Sequence, residues 1–350
     1  MKKLILLLPL LGAALLLAGC GNNGAGKTRH WKFALEEIKG SVQDQYAQKF
    51  KQLVEKESDG RIKVTVYPYG SLGTSAQLTE LVQNGAVQFA MASPGHLGSV
   101  IPQVQLFSLH FLFPEDEQIT KQVLSDDKVL SLLDQSYRAK QLKLMGLYQE
   151  GWMVWTSNKP IHTPADFKGV KIRTMVSPLL LDEYKAYGAN PTPMPYSEVY
   201  SGLQLHMVDA QVNPIFAIEE MHFYEVQQYM IFADHLPFIT SVITNPGFYD
   251  KLSDKDKAML KKVTAKLHDY IFGVQKDLNA RRLGIIKKKS DIQMIDLTAD
   301  ERAAFRKEAM PVRDEYVKVA GDSGKQLLDA VTAKTAELQS GMQDRVPAKN

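Results

Sequence analysis

Between Trp31 and Ala92 short apolar runs alternate with helical patterns, and this alternation restricts the fold more than any other feature of the chain. Trp31 to Leu35 reads as a strand. Ser41 caps a helix whose Val42, Tyr46, Phe50, Leu53 and Val54 recur at helical spacing. Asp59-Gly60 ends that helix, and Arg61 to Tyr67 alternates Ile62, Val64 and Val66 as a second strand. Thr74 to Asn84 is a helix stopped by Gly85, and Val87 to Ala92 is a third strand. Strands separated by helices imply a mostly parallel sheet covered by helices, hence an α/β class.

The pattern continues with a helix over Asp126 to Lys140 and two strands, Leu142 to Tyr148 and Met153 to Thr156, flanking Glu150-Gly151. A crossing between two domains is expected at that dipeptide. Thr163-Pro164-Ala165-Asp166 opens a short helix. Helices over Ser177 to Tyr187 and Tyr196 to Leu205 precede strands over Gln227 to Phe232 and Phe238 to Thr244, with a return crossing near Ile239. Ser253-Asp254-Lys255-Asp256 has the form of a capping box, with Asp in place of the usual Glu. It starts a long helix to about Leu283, striped by Leu260, Val263, Leu267 and Ile271. A strand over Ile292 to Ile295, a helix from Thr298 and a terminal helix over Ala320 to Gln339 complete the pattern. The expected division is 30–150 plus 240–279 for domain I and 151–239 plus 280–340 for domain II, with 341–350 as a tail.

The first nineteen residues read as a targeting segment. Lys2 and Lys3 precede an apolar run from Leu4 to Leu17, and Leu17-Ala18-Gly19-Cys20 is the small-residue box of a lipoprotein signal. The run is too short for a typical spanning helix. Cys20 is the only cysteine of the chain, so it is expected to carry lipid, with residues 20–29 as a flexible tether. The mature protein is then extracytoplasmic, anchored to a membrane and free of disulfides. Removing nineteen residues from 350 leaves 331, enough for two domains. Without Lys2 and Lys3 the balance is 40 basic to 39 acidic residues. So even a balance gives no field that would draw in nucleic acid.

Catalytic signatures are missing from the sequence. It holds no Gly-x-Ser-x-Gly elbow, no His-Glu-x-x-His pair and no phosphate loop, so neither enzyme activity nor a cofactor or metal is expected. The segment from Lys168 to Pro214 points to binding instead. Val170 and Ile172 mark a buried strand, and Arg173 lies at its carboxyl end, where ligands bind in α/β folds. Arginine holds a carboxylate through two parallel hydrogen bonds. On spacing alone, a salt-bridging Arg173 and a turn-forming Asn213 before Pro214 account for these residues as well.

Taken together, Lys168-Gly169-Val170-Lys171-Ile172-Arg173, Val208-Asp209-Ala210-Gln211-Val212-Asn213-Pro214 and Tyr67-Pro68-Tyr69-Gly70-Ser71-Leu72-Gly73 resemble the motifs of TRAP transporter solute receptors, the C4-dicarboxylate-receptor-like family. The resemblance implies a two-domain periplasmic-binding-protein-like fold with mixed sheets, hinge crossings and a long helix spanning both domains. It implies that Arg173 pairs with a ligand carboxylate and Asn213 fixes its orientation. The partners would be a small organic acid and TRAP membrane subunits, with the receptor monomeric. Presentation of the bound acid to a sensor kinase or chemoreceptor is the alternative.

Relatives often carry a second arginine near Met153. This chain has Glu150-Gly151-Trp152-Met153-Val154-Trp155 there, so a monocarboxylate with a bulky apolar or aromatic body is expected in place of a dicarboxylate. Trp152 and Trp155 face opposite sides of a strand, and Trp152 is expected in the cleft beside Met153. Glu37 and Ser93, each following a strand, are further candidate ligand contacts. So are Phe216 and Phe238, which lie near Asn213 and the return crossing. His110 is expected as a satisfied core or cleft-edge histidine.

Overall fold

The structure is a computed structural model that describes residues 28–343. The lipobox, Cys20 and the tail beyond Gln343 lie outside the described residues. Ten strands form one connected sheet: β1 (Arg29–Ala34), β2 (Ile62–Tyr67), β3 (Phe89–Ala92), β4 (Lys143–Ser157), β5 (Lys171–Thr174), β6 (Asn190–Pro193), β7 (Ala210–Pro214), β8 (Tyr229–Phe232), β9 (Pro237–Thr244) and β10 (Gln293–Asp296). Their order is β2-β1-β3-β9-β4-β7-β5-β6, with β8 also on β4 and β10 on β8. The pairs β1–β2, β1–β3, β5–β6, β5–β7 and β8–β10 are parallel, and β4 and β9 run antiparallel to their neighbours.

The sequence reads β4 as two strands, but it is one. Its first part, to Trp152, pairs with β9, and Met153 to Ser157 pair with β7 and β8. A register shift between Gln149 and Gly151 lies where one set of partners gives way to the other. Gly151 has φ +140°, and a Cβ there would lie 2.6 Å from Asn279 Nδ2, which donates to Glu150 O at 2.8 Å. Only glycine lets the long helix approach the strand this closely. A turn-forming residue seen in sequence is therefore a bulge inside a continuous strand.

The apolar side chains gather on either side of this strand. Trp31, Phe33, Phe50, Phe89 and Val242 fill a core beneath the β1–β3 end, and Trp155, Phe167, Ile172, Tyr184 and Phe305 fill one at the other end. The helix Asp254–Lys289 runs along both parts, about 54 Å at 1.5 Å per residue. It buries Leu260 and Leu267 in the first core and Ile286 in a further cluster with Val199 and Phe223. Ser253 caps it by accepting from Asp256 N at 3.2 Å. Ser253→Ala is expected to lower the unfolding free energy by about 1 kcal/mol, measured by urea denaturation.

The terminal helix differs from expectation. It begins at Val312, and Gly321 breaks its helical backbone (φ +66°, ψ −160°). Val312, Tyr316, Ala320, Leu327 and Val331 pack against Leu106, Val123 and Leu133. The expected boundaries group this helix with 151–239, but its apolar stripe is buried against the chain before β4. The structure also adds elements with no strong sequence signal, among them β6, a strand rich in proline, and the helix Glu117–Leu124.

Candidate functional site

Four carboxyl ends of strands converge on one cavity: Glu36 and Glu37 beyond β1, Ser93 after β3, Arg173 on β5 and Asn213 at the end of β7. This is where helix-covered sheets place ligands. Gln43, His96, Met175, Tyr196, Ala217 and Phe238 complete most of the lining of a narrow cavity of about 30 Å³. The cavity is closed over. Arg173 is 1% exposed, Glu37 6% and Asn213 7%. Ser177 N donates to Gly95 O at 3.0 Å, joining the segments after β5 and β3. Gly95 lies against Met175 so tightly that a Cβ would overlap it. Tyr69 and Tyr196 meet edge to face at 5.9 Å.

Arg173 is fixed from behind. Its Nε and Nη2 both donate to Met194 O, at 3.0 and 2.8 Å. Among the described residues it has no acidic partner. Burial lowers its pKa to about 10, with Tyr196 and Tyr69 opposing the shift. A guanidinium that is desolvated but lacks a counter-ion is set to gain from an entering carboxylate. Burial and the Arg173 charge also push His96 down to about 4, so its imidazole is neutral at neutral pH. Asn213 is oriented by a buried chain: Nδ2 donates to Gln211 Oε1, Gln211 Nε2 to Thr156 Oγ1 at 2.9 Å, and Thr156 Oγ1 to Gln227 Oε1 at 2.9 Å.

Across the cavity the lining is acidic. Glu37 Oε2 accepts from Gln43 N at 3.2 Å, and Glu36 Oε2 accepts from Ser93 N at 2.8 Å. Burial raises Glu36 to about 8 and Glu37 well above the usual carboxylate range, with Glu150 adding to both shifts. One face of the cavity can thus receive an anionic group and the other a cationic one. Met175, Ala217 and Phe238 supply apolar surface.

Arg173, Asn213, Glu37, Ser93 and Phe238 line this cavity, and Trp152, Met153 and Phe216 do not. Trp152 is half-buried on β4 opposite Pro237, just past the bulge that disturbs strand alternation. Met153 pairs with Pro214 and is buried among Trp155, Ile172 and Met175. Phe216 is fully buried in the core with Tyr148 and Leu278, and its N–H donates to Asn279 Oδ1 at 3.0 Å. Pro214 caps a helix there, and the residue after Phe216, Ala217, lines the cavity instead. His110 is buried away from the cavity, 2.8 Å from Tyr187 OH and against His235. Sequence reasoning missed Glu36, Gln43, His96, Met175, Tyr196 and Ala217. Met175 sits two residues after Arg173, and Tyr196 lies within the stretch joining the two motifs, so strand periodicity and motif position carried a signal for these two.

Residues 33–319 match the model of the bacterial extracellular solute-binding protein family 7. The ectoine-binding periplasmic protein TeaA of Halomonas elongata is 38% identical over 322 residues, 91% of this chain and 94% of that protein. The ectoine/5-hydroxyectoine-binding periplasmic protein UehA of Ruegeria pomeroyi is 36% identical over 314 residues, 89% of this chain and 92% of that protein. The apo open structure of a TRAP periplasmic solute-binding protein from Marinobacter aquaeolei superposes with a TM-score of 0.83 at 44% identity, covering 87% of this chain and 99% of that one. With a two-domain α/β fold, a cleft at the strand ends and these matches, the chain belongs to the bacterial extracellular solute-binding protein family 7 and is a solute receptor of the TRAP transporter type.

Proposed function

We propose that this receptor captures a small ring-shaped zwitterion, with one carboxylate and one cationic nitrogen centre, and delivers it to TRAP membrane subunits. The observation that carries this reading is one closed cavity lined by both the Arg173 guanidinium and the Glu37 carboxyl. Arg173 and Asn213 take the carboxylate. Glu37 takes the cationic nitrogen, and Met175, Ala217 and Phe238 take the ring. A ring against these side chains keeps the expectation of a monocarboxylate with a bulky body, while moving its apolar wall away from Trp152. The names of TeaA and UehA supply the ligand type to try first, because ectoine is a cyclic amidinium carboxylate. A dicarboxylate suits the site less well, since its second anionic group would meet the glutamates.

The two-domain reading assigns residues 30–150, 240–279 and the terminal helix to one domain and 151–239 with most of 280–311 to the other. Closure follows hinge motion at β4 and β9. We further infer that the mature receptor is held at a membrane through lipid on Cys20, which the lipobox supports; an intact-mass shift on Cys20 would test that separately. Among the described residues no helix is long and apolar enough to cross a membrane.

Titration calorimetry tests the ligand assignment. Ectoine is expected to bind with a dissociation constant of about 1 μM or tighter, and succinate at least about 100-fold more weakly. Succinate binding as tightly as ectoine would refute it.

A further inference from the structure

Behind Glu37, at the crossing point of β4, lies Glu150, a second carboxyl that ligand capture does not itself require. It is fully buried and is joined to Glu37 through Gln43. Gln43 clamps the pair. Its N–H donates to Glu37 and its Nε2 to Glu150 Oε1 at 3.2 Å. Asn279, from the long helix, holds the Glu150 carbonyl. Glu150 Oε2 is buried without a hydrogen-bond partner.

The charged and titratable surroundings offer this pair no direct cation. Glu36 lies beside it after β1, Tyr148 faces it from β4 with Tyr46 of the helix Val42–Glu57 stacked on its ring, and Asp44 of that helix lies near Glu220. Glu219 and Glu220 approach from the helix Ile215–Glu220, and both are bound by Arg282 of the long helix. Tyr196 lines the same cavity near both Glu37 and Arg173, and His96 lies near Arg173. Two desolvated carboxyls bridged by one residue cannot both ionise at ordinary cost.

We propose that the ligand-free receptor stores a proton on the Glu37–Glu150 pair and that a cationic ligand group docking on Glu37 displaces it to solvent. The balance is simple: a carboxylic acid and a free cation become a carboxylate–cation pair and one hydrated proton. Glu150 is a positioning residue, acting on the ligand through Glu37. The idea rests on the zwitterion reading above. Burial and Glu150 raise Glu37 in the closed, unliganded cavity, and a bound cation lowers it. Between those two values binding releases a proton, so affinity rises with pH through that window and levels off above it.

The test is titration of ectoine into the full mature protein at about pH 7, in buffers of differing ionisation enthalpy, with the dissociation constant also followed from about pH 6 upward. The expected result is release approaching one proton and up to about tenfold tighter binding per pH unit. Glu150→Gln keeps the size and hydrogen bonding of the residue but removes its charge. It is expected to release less and to move the levelling point to lower pH, with the pH slope over the same range cut to about threefold or less. Enthalpy independent of buffer in the wild type, or a pH profile unmoved by Glu150→Gln, would overturn the proposal while leaving the zwitterion reading intact. Failure of ectoine to bind at any pH would sink the reading itself. Carboxyl-carbon NMR of the ligand-free protein decides the stored proton independently of any ligand. Both side chains fully ionised by about pH 5 would overturn it.

Discussion

Arg173→Ala is expected to raise the dissociation constant for a carboxylate ligand by about 30-fold or more, equivalent to at least about 2 kcal/mol. The guanidinium is 1% exposed and held by two hydrogen bonds to Met194 O, so it is aimed before the ligand arrives. Preorganisation of this kind puts the loss in binding and not in folding. The fold is expected to tolerate the change. Removing the side chain strands no carboxylate, because Arg173 has no acidic partner among the described residues, and the cost at Met194 O is about 1 kcal/mol. Calorimetry paired with thermal denaturation separates the two effects. Unchanged affinity would remove Arg173 from the site. Arg173→Lys is expected to recover little, since an ammonium cannot reproduce the planar fork.

Glu37→Gln is the complementary loss. The amide keeps the volume and can still accept from Gln43 N, but it presents no charge to a cationic nitrogen. A zwitterion is expected to bind about 30-fold more weakly, as for truncation of one partner in a buried charge pair. The substitution also takes a costly ionisable group out of the interior, so the ligand-free protein is expected to be as stable as the wild type or slightly more so. Competition binding with ectoine and an uncharged-amide analogue checks this. A cationic ligand that loses no more affinity than the neutral analogue would contradict a charge contact at Glu37.

The parts of this molecule that the sequence reveals are those governed by local rules. Ser41 and Asp126 cap the helices expected of them, and Val170 with Ile172 leads into β5 and places Arg173 at a strand end. Glu37 and Ser93 were found because they follow strands, which in this architecture puts them beside the cleft. Where the reading departs from the structure, a non-local contact decides. Asn279, more than a hundred residues away in sequence, turns Gly151 from a break into a bulge and so shifts the facing of Trp152. Phe216 sits close to Asn213 in sequence, yet the helix that Pro214 caps turns it into the core. Glu36 and Gln43 are polar side chains near a helix start, a pattern shared by many solvated residues. Only the approach of Ser93 and Glu150 gives them a place in the site. The terminal helix carries its apolar stripe in the sequence, but the sequence does not say which core that stripe joins.

Mass spectrometry of small molecules released from the purified receptor bears most directly on a cavity lined by both Arg173 and Glu37. The expected species is a small cyclic compound with a single carboxylate and a cationic amidine or amine. A dicarboxylate or a sugar acid recovered in stoichiometric amount would contradict the account.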